Sequence, residues 1–113
     1  MTNFLYETVL SAIDDNGVRT ISLNRPDSLN AMNRRLIDDV TSAFDDANTD
    51  AATKVIIFTG AGRAFCAGDD RREHVHPENE AQARDLVDAI QLATRAIVGG
   101  AKPVVGAING WAV

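Results

Sequence analysis

Two short apolar runs, each preceded by a segment of helical periodicity, constrain the fold of this chain most strongly. The runs are residues 54–58 (KVIIF) and 104–108 (VVGAI). Continuous apolar runs next to glycine are typical of strands that are buried on both faces of a sheet. When such strands alternate with helices, the sheet is parallel and its crossovers are right-handed. The pattern therefore predicts an α/β fold.

A β-hairpin is predicted to open the chain. Residues 4–13 and 18–23 carry enough β-branched and aromatic side chains for two strands. Between them lies Asn16-Gly17, a strong hairpin signal because both residues tolerate positive φ. The predicted element order is β-β-α-β-loop-α-β, and the loop is expected to cover residues 59–72.

Two amphipathic helices are predicted. The first begins near residues 30–33, where a polar side chain can cap the free N–H groups, and its aspartates, among them Asp39 and Asp46, are expected to face solvent. The second follows residues 77–79 and ends at a Gly-Gly pair. The predicted apolar faces comprise Leu36, Ile37, Val40, Ala43, Phe44 and Ala47 in the first helix, and Ala83, Leu86, Val87, Ile90, Ala93 and Ile97 in the second.

Composition and charge argue against several classes of protein. Apolar residues make up 45% of the chain and charged residues 24%, which is typical of a soluble globular protein. The formal net charge of −5 disfavours a nucleic-acid or anionic-membrane partner. A single cysteine allows no internal disulfide, no signal peptide is recognisable, and no apolar run is long enough for a bilayer. A cytoplasmic protein is therefore expected.

The loop over residues 60–70 (GAGRAFCAGDD) is the most informative segment for function. It follows a predicted buried strand, and ligands bind at the carboxyl edge of such strands in open α/β sheets. Its glycines let the backbone approach a ligand closely and direct N–H groups outward. A dinucleotide-binding fingerprint is disfavoured because Phe65 stands where the third glycine is required. A P-loop would need a Gly-Lys-Ser/Thr sequence, which the chain lacks.

Nucleophile and metal roles are weaker alternatives. Cys66 with His74 and His76 downstream is compatible with a Cys–His nucleophile pair, but its apolar neighbours favour a buried structural cysteine. The two histidines are compatible with metal ligation, but on an acidic loop they are more often solvated, and we expect no metal. Trp111 is expected to lie in the core rather than to stack on a substrate.

Several segments together resemble the enoyl-CoA hydratase/isomerase, or crotonase, family. The segments are residues 21–26 (ISLNRP), 29–32 (LNAM), 55–60 (VIIFTG), 64–70 (AFCAGDD) and 102–113 (KPVVGAINGWAV). They occur in order and at compatible spacing over almost the whole chain. The resemblance implies a crotonase-like (ClpP/crotonase) spiral of ββα units, of which residues 1–113 form the N-terminal part of a single domain, incomplete at the C-terminus.

The resemblance also implies a mechanism. The family acts on coenzyme A thioesters, so coenzyme A is expected as part of the substrate and no cofactor is bound permanently. Two rigid backbone N–H groups stabilise the negative charge that develops on the thioester oxygen. One implied donor is the N–H of Asp69. The second donor and the catalytic glutamates of hydratases are expected beyond Val113.

A coenzyme A site is implied as well, with backbone groups holding the bent cofactor and basic side chains meeting its phosphates. The implied substrate- and CoA-binding residues are Arg25, Ser28, Leu29, Ala31, Arg63, Ala67, Gly68, Asp69, Asp70 and Arg72. The chain departs from the family at two positions. Asp27 stands where many relatives carry a basic residue, and Asp69 stands where the best-known hydratases carry a small apolar one.

The favoured function is therefore an acyl-CoA-processing enzyme, a hydratase or an isomerase, that assembles as a trimer or hexamer. The alternative is a truncated, catalytically inactive fragment that acts at most as a CoA-binding or assembly module. The apolar tail after a turn indicates that the natural sequence continues, and the resemblance implies a glycine-rich turn and then a glutamate in that continuation. The exposed strand edge and this tail predict marginal stability for the 113 residues alone.

Overall fold

A five-stranded sheet and two helices form the body of the molecule in the computed structural model, which describes residues 1–113. The strands are β1 (Thr2–Leu5), β2 (Val9–Ile13), β3 (Val18–Leu23), β4 (Val55–Gly60), β5 (Ala64–Cys66), β6 (Val104–Gly106) and β7 (Trp111–Ala112). The helices are α1 (Arg34–Thr49) and α2 (Glu80–Val98), and a 3-10 turn covers Pro26–Ser28. The main sheet has the order β1-β2-β3-β4-β6, while β5 and β7 form a separate pair.

The main sheet changes from antiparallel to parallel pairing at β3. The pairs β1–β2 and β2–β3 are antiparallel, whereas β3–β4 and β4–β6 are parallel. In the parallel part, Ile21 lies opposite Phe58 and Ile56 lies opposite Val104. The predicted hairpin and the predicted parallel strands are both confirmed, and so is the α/β class.

The predicted first strand over residues 4–13 is in fact two strands. The chain reverses between them, so that β1 folds back on β2 with Thr2 opposite Ile13. This reversal is held by α1, because the carboxylate of Asp39 accepts hydrogen bonds from Thr8 N at 2.9 Å and from Thr8 Oγ1 at 2.7 Å. The β-propensity of the segment could not reveal the break, since the contact that fixes it comes from a helix 31 residues further along the chain.

Helix α1 covers one face of the sheet, as predicted. Its N-cap is Asn33, whose side chain accepts a hydrogen bond from Leu36 N at 2.8 Å. All six residues of the predicted apolar face are buried. At the centre, the ring of Phe44 meets that of Phe58 edge to face, with 5.0 Å between centroids. Helix and sheet therefore share one core.

The prediction that the aspartates of α1 face solvent is wrong for Asp39, which is only 7% exposed. Asp46 is exposed, but it accepts a hydrogen bond from the hydroxyl of Tyr6. Burial, and then this hydrogen bond, raise the pKa of Tyr6 to about 12. Both carboxylates thus tie α1 to the segment between β1 and β2.

An arginine is buried beneath the hairpin. Arg19 of β3 has no exposed surface, and its Nε donates to Ser11 Oγ at 3.1 Å while Nη1 lies 3.3 Å from Asp50 Oδ2. The guanidinium carbon lies 3.8 Å from the ring centroid of Phe4. Only Nη2 lacks a partner. A buried charge needs such partners to offset its desolvation, so Arg19 links β1, β2 and the end of α1.

The C-terminal elements leave a strand edge and an apolar tail exposed, as expected, but the burial predicted for several of their residues is wrong. The strand predicted over residues 104–108 ends at Gly106 and lies at the edge of the sheet, where Val105 is exposed. Trp111, expected in the core, is 69% exposed, because β7 pairs only with β5. On α2, Val87 and Ile90 of the predicted apolar face are also exposed. Neither helix combines the length and the apolar character that a membrane crossing requires.

Replacing Asp39 by alanine is expected to lower the free energy of unfolding by about 1–3 kcal/mol, because the buried donors of Thr8 lose their acceptor. Asp38→Ala is the matched control, since Asp38 is an exposed carboxylate in the same helix and the change in helix propensity is the same. Its effect should stay within about 0.5 kcal/mol. Urea titrations followed by circular dichroism measure both values, and equal losses in the two variants would contradict the assignment.

Candidate functional site

An apolar cavity of about 1010 Å³ opens where α1, α2 and the carboxyl ends of the strands meet. Of its 25 lining residues 15 are hydrophobic, so an apolar group is the ligand that its walls fit best. The apolar wall includes Leu23, Leu36, Val40, Phe58, Phe65, Cys66, Leu86, Ile90 and Ile97. Polar side chains from residues 69–74 line the same cavity, which places the predicted functional loop at its wall.

The loop over residues 60–70 is anchored by a buried asparagine. The side chain of Asn30 is fully buried, and its Nδ2 donates to the carbonyls of Ala61 at 3.0 Å and Ala64 at 2.9 Å. Its Oδ1 accepts a hydrogen bond from Arg25 N at 2.8 Å. Asn30 and the preceding Leu29 adopt positive φ values of 57° and 52°. Asparagine tolerates this conformation better than most residues. The prediction missed the anchoring role of Asn30, and this tolerance is the only signal for it in the sequence.

The segments 29–32 and 67–70 run side by side. Ala67 N donates to Leu29 O at 3.0 Å, Met32 N to Gly68 O at 2.7 Å, and Asp70 N to Met32 O at 2.9 Å. Ser28, Leu29 and Ala31 therefore lie beside Ala67, Gly68 and Asp69, as a common binding surface requires. The structure brings this part of the predicted site together.

The backbone N–H of Asp69 lies between two N–H groups that are already used. Ala67 and Asp70 donate to the neighbouring segment, whereas Asp69 N donates to no acceptor within the chain. Gly68 has φ +99°, a conformation that a side chain would strain. Asp69 lines the cavity. A fixed and unpaired N–H group at an apolar wall is suited to bind a developing negative charge.

An ion-pair cluster closes the base of the loop. Arg25 Nη1 lies 2.9 Å from Asp70 Oδ2 and its Nη2 lies 3.2 Å from Glu73 Oε2, and the carbonyl of Ala31 accepts a hydrogen bond from the same guanidinium. Asp70 Oδ1 also accepts hydrogen bonds from the N–H groups of Arg72 and Glu73. The hydrogen bond from Arg25 is the main cause that lowers the pKa of Asp70 below its ordinary value.

The other predicted basic residues lie apart from the cavity. Arg63 and Arg72 are exposed, neither guanidinium forms an ion pair, and neither residue lines the cavity wall. Cys66 is buried, as predicted, and forms no hydrogen bond to a histidine. No cluster of three or more His, Cys, Asp or Glu side chains is placed to hold a metal ion.

Several polar residues of the cavity wall were not predicted as site residues, among them Glu73 and His74. Glu73 pairs with Arg25, and His74 Nδ1 lies 3.1 Å from Asp69 Oδ2. The ring of His76 packs edge to face against that of His74, with 4.5 Å between centroids. The sequence placed both histidines on an acidic loop but gave no signal that one of them turns back to Asp69.

The ion pair of Asp70 should stabilise the fold only while Asp70 is ionised. Because its pKa is lowered from the ordinary 3.8, the contribution is complete at neutral pH and is lost as the pH falls below that value. Asp70→Asn is therefore expected to lower the urea midpoint at neutral pH, and its difference from the wild type should narrow between about pH 4 and pH 2. Asp27→Asn, at an exposed carboxylate in the same region, is the control. A difference that stays constant over this range would refute the pairing.

Comparisons with known proteins agree with the geometry. A family model described as enoyl-CoA hydratase/isomerase matches residues 14–113. A probable peroxisomal enoyl-CoA hydratase of Arabidopsis thaliana is 35% identical over 102 residues, which cover 88% of this chain. A probable enoyl-CoA hydratase of Mycobacterium bovis is 40% identical over 96 residues, which cover 85% of it.

A solved structure gives the same result. The crystal structure of an enoyl-CoA hydratase/isomerase from Xanthobacter autotrophicus superposes with a TM-score of 0.86 at 30% sequence identity and covers 94% of this chain. The fold is therefore that of the crotonase family, as the sequence predicted. This chain spans 40% of that structure, and 36% and 37% of the lengths of the two relatives. The chain belongs to the enoyl-CoA hydratase/isomerase family.

Proposed function

We propose that this chain is the N-terminal part of an acyl-CoA-processing enzyme, a hydratase or an isomerase, that stabilises a thioester enolate or oxyanion with backbone N–H groups. The observation that carries the proposal is the unpaired N–H of Asp69, a residue that lines an apolar cavity. Both relatives are named as enoyl-CoA hydratases, and the solved structure is named as a hydratase/isomerase. The acyl group is proposed to occupy the cavity.

The chemistry follows from where charge develops. When a proton leaves Cα, or when a nucleophile adds to Cβ, negative charge accumulates on the thioester oxygen. An N–H group that is held by its neighbours meets this charge without reorganising, and the loss of one such donor typically costs about 3–4 kcal/mol. The hydrogen bonds of Ala67 and Asp70 on either side hold Asp69 in this way.

Coenzyme A is proposed to bind along the paired segments 28–31 and 67–69. The carbonyl of Ala67 accepts no hydrogen bond within the chain, so it is available to the adenine amino group. Arg63 and Arg72 are exposed and unpaired, as side chains that meet phosphates must be. Arg25 is engaged by Asp70 and retains further N–H donors, while Gly68 and Asp70 are proposed to contribute by shaping the loop.

The reaction needs more groups than residues 1–113 supply. The second oxyanion donor and, for hydration, the glutamates that move the water proton are proposed to lie beyond Val113. Assembly into trimers or hexamers and a cytoplasmic location are proposals of the same kind. The second candidate, an inactive module that binds coenzyme A or assists assembly, differs from the first in one measurable property, which is turnover.

The natural gene product that contains residues 1–113 is expected to bind acyl-CoA in isothermal titration calorimetry and to hydrate or isomerise an enoyl-CoA. The 113-residue chain by itself is expected to give no turnover of crotonyl-CoA, which ultraviolet absorbance of the enoyl thioester would follow. Absence of acyl-CoA binding by the gene product would show that the proposed function is wrong. Turnover by the 113-residue chain would show that the reaction does not need the groups that we place beyond Val113.

Asp69→Pro tests the oxyanion donor, because proline has no backbone N–H. In the gene product, kcat is expected to fall by about 10²–10³-fold relative to Asp69→Asn, which loses the carboxylate but retains the N–H. Circular dichroism and the melting temperature check that both variants are folded. If two folded variants turn over substrate at the same rate, the N–H of Asp69 does not serve as the donor.

A further inference from the structure

One residue joins the unpaired N–H group to a histidine. Asp69 lines the cavity and its backbone N–H has no acceptor in the chain, while its side-chain Oδ2 lies 3.1 Å from Nδ1 of His74. The His74 side chain is 30% exposed and lines the same cavity. The imidazole therefore contacts the side chain of the same residue whose backbone N–H would bind the thioester oxygen.

The other charged side chains of the cavity wall form ion pairs, in part with Arg25, which does not itself line the cavity. The pairs are Arg34–Asp85 at 3.0 Å, Arg25–Asp70 at 2.9 Å and Arg25–Glu73 at 3.2 Å. His74 differs from them, because its Nε2 has no hydrogen-bond partner in the chain. Its ring is faced by Asp69 on one side and by His76 on another. His74 therefore has a ring nitrogen that is free to contact a ligand.

We propose that His74, positioned by the carboxylate of Asp69, transfers a proton at Cα of the bound thioester. This inference rests on the proposed function and deepens it. The neutral imidazole accepts the Cα proton at Nε2, and the electron pair of the broken C–H bond delocalises onto the thioester oxygen. That oxygen binds the N–H of Asp69, while the carboxylate of Asp69 stabilises the imidazolium. Return of the proton to carbon restores the neutral imidazole.

The site of proton return decides the reaction class. Return to Cα exchanges the hydrogen with solvent, whereas return to Cγ of a β,γ-unsaturated thioester moves the double bond into conjugation. The second outcome needs neither water nor a further reactant. The Asp69–His74 pair therefore favours isomerisation of unsaturated acyl-CoA substrates. It also gives a role to the carboxylate of Asp69, the position at which this chain departs from the best-known hydratases.

Hydrogen exchange at Cα of a saturated thioester isolates this step. The gene product that contains residues 1–113 is incubated with butyryl-CoA in D₂O, and mass spectrometry follows deuterium incorporation. His74→Gln is expected to slow the exchange by about 10²-fold or more. His76→Gln is the matched control, since its ring contacts His74 but the residue does not line the cavity, and it should stay within about threefold of the wild type. The exchange rate of Asp69→Asn should lie between the rates of these two variants.

Calorimetry with butyryl-CoA separates the possible failures. If the wild type binds butyryl-CoA but does not exchange its Cα hydrogen, or if His74→Gln exchanges at the wild-type rate, the inference is overturned and the proposed function stands. The inference is also overturned if His74→Gln and His76→Gln slow the exchange equally, or if the slower exchange matches a loss of affinity for butyryl-CoA. Either result would assign His74 a structural role only. If the wild type does not bind butyryl-CoA, the proposed function itself is wrong.

Discussion

The amide of Asn30 joins the two segments from which the candidate site is built. This fully buried side chain donates to the carbonyls of Ala61 and Ala64 and accepts from the N–H of Arg25. A buried polar group left unpaired costs about 1–3 kcal/mol, so these three bonds fix the path of both segments together. The positions of Asp69 and of the side chains around it follow from that path. The geometry of the proposed oxyanion donor thus depends on buried polar contacts as well as on glycine geometry.

The amino ends of the parallel strands carry stabilising contacts, whereas the carboxyl ends carry the candidate site. At their amino ends, Arg19 and Asp50 tie the hairpin to the end of α1, and the Arg19 side chain is buried. At their carboxyl ends, loops surround a cavity and leave an N–H group and an imidazole nitrogen without partners. Both residues, Asp69 and His74, are at least partly exposed, so these groups are available to a ligand that enters the cavity. The distribution of satisfied and unsatisfied groups therefore points to the same edge of the sheet as the topology does.

The sequence predicted well wherever periodicity or a turn signal decides the outcome. The apolar face of α1, the hairpin turn and the parallel strands are examples. It failed where a single long-range contact decides, as at Thr8, which is held by Asp39, and at His74, which turns to Asp69 along a segment without periodicity. It also failed for Trp111, because hydrophobicity predicts burial only where another element covers the side chain. The resemblance supplied Asp69, and no local pattern would have done so.

The contacts of Asn30 also bear on the order in which the molecule folds. Its two acceptors lie 31 and 34 residues further along the chain, and Asp70 lies 45 residues beyond Arg25. Closing such loops costs conformational entropy, and the contacts that offset this cost form only after helix and sheet have brought the ends of the loops together. The edge that holds the cavity should therefore consolidate after the hairpin and α1. Substitutions at Asn30 should then accelerate unfolding more than they retard folding, so that the lifetime of the folded state depends on the same amide that shapes the site.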